Sequence, residues 1–286
     1  MTAPLRRVFV RKPTADVSRW REFGWRAEPD AAGLAAEHEA LCATLAEAGV
    51  EVVVGEPSPS GNVDAVYVFD PALTSDAGAI LLRPGKELRR DEVAAIGADY
   101  EANGISVAAE LTAPALAEGG DTLWLDERTL VIGLGYRTNA TGAAQIAVAL
   151  PTVDVITVDL PHHHGRGEVL HLLSLISPVD DDLALVYPPL MPVRLVQLLE
   201  DRGVHIVEVP GNEFESMGCN VLALGPGDVL ALDGNPETRR RLEAAGVRVR
   251  VYPGEELSRK GDGGPTCPSA RPSGRRTCPA TRPGSA

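Results

Sequence analysis

Four short stretches of this sequence carry side chains suited to covalent chemistry on a cation: GDGGPTC ending at Cys267, VLHLLSLIS with His171, EGGD with Glu118 and Asp121, and VDAVYVFD with Asp64 and Asp70. Cys267 follows Gly261, Gly263, Gly264 and Pro265 and has little bulk to pack against. A partly exposed thiol in that setting suits nucleophilic catalysis. His171 falls in an apolar run that reads as a strand, so it is either a hydrogen-bonded core residue or, with a carboxylate and a nucleophile nearby, a proton carrier. If VDAVYVFD is also a strand, its even spacing turns Asp64 and Asp70 to one face, although Asp70-Pro71 equally reads as a turn closing a strand. The paired glycines of EGGD allow a sharp turn or a close backbone approach between two carboxylates, with a plain β-turn as the alternative. Taken together, the residues describe a covalent hydrolase acting on a positively charged group. Carboxylates hold the cation, the cysteine attacks it and the histidine moves protons.

The remaining candidates read as structural. His162, His163 and His164 in PHHHGRG are expected in a solvated loop, because adjacent positions do not converge on one ion as spaced ligands do. Cys42, on the apolar side of a helix, and Cys219, just before a strand, are expected as small buried hydrophobes.

Short β-branched runs bounded by Gly, Pro or Asp recur along the chain, among them RVFVRKP, VEVVVG, TLWLDERTLVIGLG, LALVYPP and VRVRVYPG, and predict strands. Between them, apolar residues at helical spacing predict helices over 31–48, 89–103, 138–150, 191–202 and 236–245. A rhythm of helix, glycine, then strand repeats in EAGVEVVV, ANGISVAA, DRGVHIVEV and AAGVRVRVY, where glycine suits the helix C-cap. That recurrence predicts a repeated α/β unit.

Composition narrows the partners. The 286 residues are 44% hydrophobic, enough for a substantial core, and the net charge of −13 provides no footprint for a phosphate backbone. Nucleic acid is therefore not expected. With no apolar run long enough to cross a bilayer and no signal-type h-region, the expectation is a cytoplasmic protein without membrane association. Residues 264–286 are rich in Pro, Gly, Ser, Thr and Arg and lack periodicity, which predicts a single domain over 1–267 and a disordered Arg/Pro-rich tail over 268–286. The tail carries Arg271, Arg275, Arg276 and Arg282 and no acid, leaving 23 basic against 40 acidic side chains, about −17, for the body.

The order of YVFDPA, ILLRPGKELRR, EGGDTLWLDERTLVIGLGYRTNATG, VLHLLSLISP and GDGGPTC resembles the dimethylarginine dimethylaminohydrolases, over 7–267. They belong to the guanidine-modifying superfamily of arginine deiminases and amidinotransferases. The resemblance implies an α/β fold, a five-bladed pseudo-symmetric α/β propeller of ββαβ-type repeats. It implies Cys267 as nucleophile, His171 as general acid and base, Glu118 as the acid orienting His171 and the guanidinium, and Asp70 with Asp64 as guanidinium anchors. Arg89 and Arg137 match the arginines that hold the substrate carboxylate. The implied reaction converts asymmetric dimethylarginine or monomethylarginine to citrulline and a methylamine through a Cys thiouronium, with a small guanidino substrate, no cofactor and no metal, in a homodimer.

The alternatives are an arginine deiminase or other guanidine hydrolase or amidinotransferase, and an inactive homologue that binds arginine-like cations. Arginine deiminases carry an acid two residues after the strand histidine, where this chain has Leu173, a departure that favours N-alkylated substrates. A second departure is PSARPSGRRTCPATRPGSA after the TC, where such relatives close shortly. It is expected to be a frameshifted or extended terminus that spares Cys267.

Overall fold

The structure, a computed structural model, describes residues 2–58, 61–167, 170–266 and, as strand backbone, 269–270. The first unit runs β1 (Arg7–Arg11), α1 (Ala31–Glu47) and β2 (Glu51–Gly55), with the two strands parallel. The second comprises β3 (Ala72–Ser75), β4 (Gly78–Leu81), α2 (Glu92–Ala102) and β5 (Val107–Glu110). The third comprises β6 (Thr122–Asp126), β7 (Thr129–Leu134), α3 (Ala140–Ala149) and β8 (Asp154–Asp159). In the fourth, β9 (Ile176–Pro178) and β10 (Leu183–Val186) precede α4 (Val193–Asp201) and β11 (His205–Glu208). After a single turn of helix, α5 (Gly211–Phe214), the fifth comprises β12 (Val221–Gly225), β13 (Asp228–Leu232), α6 (Pro236–Ala244) and β14 (Arg248–Tyr252).

Each of the last four units is an antiparallel hairpin followed by a helical crossover to a parallel strand, as in β6–β7–α3–β8. The first unit obtains its missing strand from the far end of the described chain, where β15 (Ser269–Ala270) pairs antiparallel with β1, Phe9 opposite Ser269. Among the described residues the result is five three-stranded sheets, the expected five-fold ββαβ propeller. One boundary differs from expectation, because Ser269 and Ala270 of the presumed tail lie in the first unit's sheet. Two residues of pairing with a strand already in place need no hydrophobic run, so composition did not reveal them. Residues 271–286, for which disorder was expected, lie outside the described residues.

Local chemistry explains the repeated junctions. Gly49, Gly104, Gly203 and Gly246, each just after a helix, have φ of +85°, +78°, +67° and +87°, where a Cβ carries a steric cost and glycine does not. Asp30 and Asn139 start α1 and α3 by accepting from the N–H groups of Gly33 and Gly142. The core is distributed between neighbouring units: Leu123, Val131 and Val158 of the third pack with Ile176, Val186 and Leu199 of the fourth. No helix among the described residues is long and apolar enough to cross a membrane.

Two predicted strands are different structures. Val63–Val66, inside VDAVYVFD, is a 3-10 turn capped by Asn62, whose Oδ1 accepts from the Asp64 N–H at 2.9 Å. Leu172–Ser174 is another, with His171 as its N-cap. Apolar content marks both segments as buried but does not distinguish a strand from a short tight turn in an interior.

Candidate active site

Those turns lead into the first strands of their units, and all five units use the corresponding position. The segments before β3, β6, β9, β12 and β15 meet at one cleft of about 710 Å³, whose wall includes Asp64, Asp70, Gly120, His171, Asn220 and Thr266. The alternation argument for Asp64 and Asp70 fails with the strand, yet the turn delivers both carboxylates to the same cavity.

His171 is the focus. Its Nδ1 lies 3.0 Å from Asp121 Oδ1, its Nε2 lies 3.4 Å from Glu118 Oε2, and its own N–H donates to Ser174 Oγ at 3.2 Å. Asp121 is itself fixed, because Thr138 Oγ1 donates to its Oδ2 at 2.6 Å and Leu172 N–H to its Oδ1 at 3.1 Å. Burial pulls the imidazole pKa down, but the carboxylates of Asp121, Asp70 and Glu118 outweigh it and raise the value to about 9. The ring is therefore a cation at neutral pH. The orienting contact on Nδ1 comes from Asp121, whereas the expectation gave orientation to Glu118. Both acids belong to EGGD, and spacing alone did not decide between them.

Glu118, with a fully buried side chain, faces Nε2 and binds Arg137: Arg137 Nε donates to Oε1 at 2.8 Å and Nη2 lies 2.7 Å from Oε2. Among the described residues Oε2 nevertheless has no aligned hydrogen-bond donor, a desolvated acceptor lobe beside the imidazole. Asp70 Oδ2 accepts from Arg89 Nη1 at 2.5 Å and its Oδ1 from Gly120 N–H at 3.0 Å. Although burial alone would raise its pKa, Arg89, His171 and the Gly120 N–H hold Asp70 below the ordinary carboxylate value. One atom each from Asp70, Glu118 and His171 fall within 4.8 Å of one another. That trio has the donors for a divalent ion, but Arg89 and Arg137 beside it supply the opposing charge.

Arg89, matched to a carboxylate-binding arginine, is 2% exposed. It donates to Glu92 through Nε and Nη2, to the carbonyls of Asp64 and Tyr67 through Nη2, and to Asp70 through Nη1. Among the described residues this leaves one of its five N–H groups, on Nη1, for a ligand. Its main engagement is with buried acids. Arg137, 17% exposed, bonds only Glu118 among the described residues. Two residues had no sequence signal beyond residue type: Lys86 Nζ pairs with Asp64 Oδ2 at 2.5 Å and with the Phe23 carbonyl, and Trp25 Nε1 donates to Asp64 Oδ1 at 2.7 Å. Burial draws the Lys86 pKa below its ordinary value despite Asp64.

The glycines of both motifs occupy places without room for a side chain. A Cβ on Gly120 would lie 2.7 Å from His171 Cγ, and one on Gly119 would lie 2.1 Å from the Phe69 carbonyl oxygen. In GDGG, a Cβ on Gly263 would lie 2.2 Å from Tyr67 Cε1 and one on Gly264 2.2 Å from Asn220 Oδ1. Gly263→Ala is expected to cost about 1–3 kcal/mol, the usual penalty for overpacking. Urea unfolding followed by circular dichroism checks the value, and an unchanged midpoint would contradict the close packing.

Cys267 lies outside the described residues; Thr266, before it, lines the cleft, with N–H and hydroxyl toward Asn220 Oδ1 at 3.3 and 3.0 Å. The other two cysteines described are poor nucleophiles. Burial raises the Cys42 pKa to about 11 and pushes Cys219, 1% exposed, further up; Cys219 is the small buried hydrophobe expected, whereas Cys42 is only half-buried.

A family model described as N,N dimethylarginine dimethylhydrolase, eukaryotic, matches residues 21–268. A dimethylarginine dimethylaminohydrolase of Pseudomonas aeruginosa is 29% identical over 251 residues, 85% of this chain and 90% of that protein. The solved structure of a cysteine-to-serine mutant of the Pseudomonas aeruginosa enzyme, complexed with citrulline, aligns with a TM-score of 0.78 at 26% identity, covering 94% of this chain and 100% of that one. An arginine deiminase of Rhodococcus jostii is 32% identical over 189 residues, 55% of this chain and 46% of that protein, so this chain spans about half of that relative's length.

Proposed function

The chain belongs to the N,N dimethylarginine dimethylhydrolase family, as a hydrolase of the C–N bond of a guanidino group, and from that premise we propose that it converts Nω-methylated arginine to citrulline and a methylamine. Cys267 is the nucleophile, His171 the proton carrier, Glu118 and Asp70 the guanidinium holders with Asp64 beyond them, and Arg137 with the remaining Nη1 donor of Arg89 the ligands of the substrate carboxylate.

One observation carries the reading: a histidine with its pKa raised to about 9, with Glu118 buried close against it, lines together with Asp70 a cleft whose wall also includes the residue that precedes a cysteine. A planar cation bearing several N–H donors matches buried carboxylates on two sides. The Cys267 thiolate adds to the guanidinium carbon, and the cationic His171 delivers its proton to the methylated nitrogen. The C–N bond then breaks, methylamine leaves, and a thiouronium remains on the sulfur. The now neutral His171 takes a proton from water as its oxygen attacks the same carbon. Collapse breaks the C–S bond, returns the electron pair to sulfur and, as the remaining hydroxyl proton passes to solvent, forms the ureido carbonyl of citrulline.

Leu173 and Phe69 line the cleft and offer apolar surface to N-methyl groups, which supports methylated arginine over arginine. The likeness to arginine deiminase keeps arginine as the second reading. Incubation with asymmetric dimethylarginine, monomethylarginine or arginine and assay of citrulline separates the two. Wild type is expected to prefer a methylated substrate, and Cys267→Ser to produce no citrulline. Turnover of arginine alone would favour deimination, and citrulline from Cys267→Ser would remove the covalent mechanism.

A further inference from the structure

We propose that His163, His164 and Glu215 form a site for a divalent transition cation of the Zn²⁺ type on the rim of the cleft. The obstacle foreseen in PHHHGRG was that consecutive side chains diverge. In the structure the three histidines are not equivalent. His162 turns away, its Nδ1 2.6 Å from Tyr136 Oη, whereas His163 takes a left-handed φ of 47° and its ring comes to 3.8 Å, centroid to centroid, from that of His164. Glu215, just past α5, completes the group, with Oε1 4.0 Å from His164 Nε2.

One ligand atom from each of the three residues lies within 4.8 Å of the others. Imidazole nitrogens with a carboxylate oxygen are a familiar Zn²⁺ donor set, and bonds of the usual length place tetrahedral ligands about 3.4 Å apart. The side chains must therefore close by about 1 Å. His164 and Glu215 are 62% and 58% exposed, so solvent and not packed protein surrounds most of each side chain over that adjustment. Arg26 is the cation that opposes binding, with Nη2 3.7 Å from Glu215 Oε2, but it lies closer to Asp262 Oδ1, at 3.0 Å, and Oε1 faces His164. All three ligands line the cleft beside Phe214, against which His163 packs edge-on. A bound ion would narrow the opening, a consequence that rests on the cleft being the guanidino site, whereas the binding itself does not.

The test uses the full chain without a polyhistidine tag, in a Cys267→Ser, Cys278→Ser background because thiols take the same metals. Titration with Co²⁺, followed by the visible d–d absorption of tetrahedral cobalt, and with Zn²⁺ by calorimetry should show one equivalent bound. His164→Ala and Glu215→Gln should each weaken binding by at least about tenfold, since even outer partners of metal ligands are worth that much, while His162→Ala should leave it unchanged. No saturable uptake, or uptake indifferent to both ligand substitutions, would overturn the proposal. In the same double-serine background, Zn²⁺ should weaken binding of asymmetric dimethylarginine, read by calorimetry, and His164→Ala should relieve that weakening. Equal weakening in that variant would refute the narrowing while leaving the spectroscopic result to judge the site. A protein inert toward every substrate would count against the functional reading alone.

Discussion

Asparagine in place of His171 should lower kcat by about 10²–10⁴-fold, the usual worth of a positioned general acid and base. Asparagine keeps an N–H for Asp121 but carries no proton to the leaving amine and takes none from water. Steady-state citrulline formation from asymmetric dimethylarginine measures the loss, and a variant within tenfold of wild type would remove His171 from proton transfer. The same substitution has a second readout. Because folding raises the histidine from 6.5 to about 9, the folded state holds the proton more tightly than the unfolded one. The resulting stabilisation is complete below pH 6.5 and disappears as pH rises through about 9, a loss of up to about 3 kcal/mol. Urea midpoints at the two ends of that window should separate in wild type and approach each other in His171→Asn. Parallel behaviour of the two proteins would mean that Asp121 and Glu118 do not hold the ring charged.

Asp70→Asn is the second large expected effect, and it reaches stability and activity together. Asp70 accepts at once from Arg89 and from the Gly120 N–H, which lies under the His171 ring. Asparagine can still accept from Gly120 through Oδ1, but its amide then faces the Arg89 guanidinium donor to donor. Arg89 retains Glu92, yet its buried charge loses one of two carboxylates. Breaking a buried pair from one side costs about 3–5 kcal/mol, so the urea midpoint should fall well below that of wild type. KM for the guanidino substrate should rise and kcat fall, since one holder of the cation is lost and the glycine under the ring is less firmly placed. Wild-type stability in Asp70→Asn would mean that Glu92 alone suffices for Arg89, and an unchanged KM would separate Asp70 from the substrate.

The regular frame was readable because its signals are local. Helical spacing located α1, α2, α3, α4 and α6 to within a few residues, and the glycines after four of them stand in the left-handed conformation that the helix-glycine-strand rhythm implied. The site was readable by residue type and motif rather than by local structure. The strand reading of His171 and the conditional one of Asp64 give way to 3-10 turns in or beside which both lie, since a buried apolar stretch of eight or nine residues has no period that excludes a turn. Pairwise choices within a motif were also out of reach. Only three-dimensional distances distinguish Asp121, at 3.0 Å from one imidazole nitrogen, from Glu118, at 3.4 Å from the other. The partners of Arg89 come from an earlier loop and the following helix, and the convergence of His163 and His164 depends on a single backbone angle.

The pairing of β15 with β1 bears on when during synthesis activity can begin. The ring is joined through Ser269 and Ala270, immediately after the candidate nucleophile and its glycine-rich approach. Units two to five, which supply His171, Glu118 and Asp70, all precede residue 267 in the chain. With Cys267 as the proposed nucleophile, its sulfur arrives with the strand that fastens the circle, so delivery of the reactive group and completion of the architecture coincide.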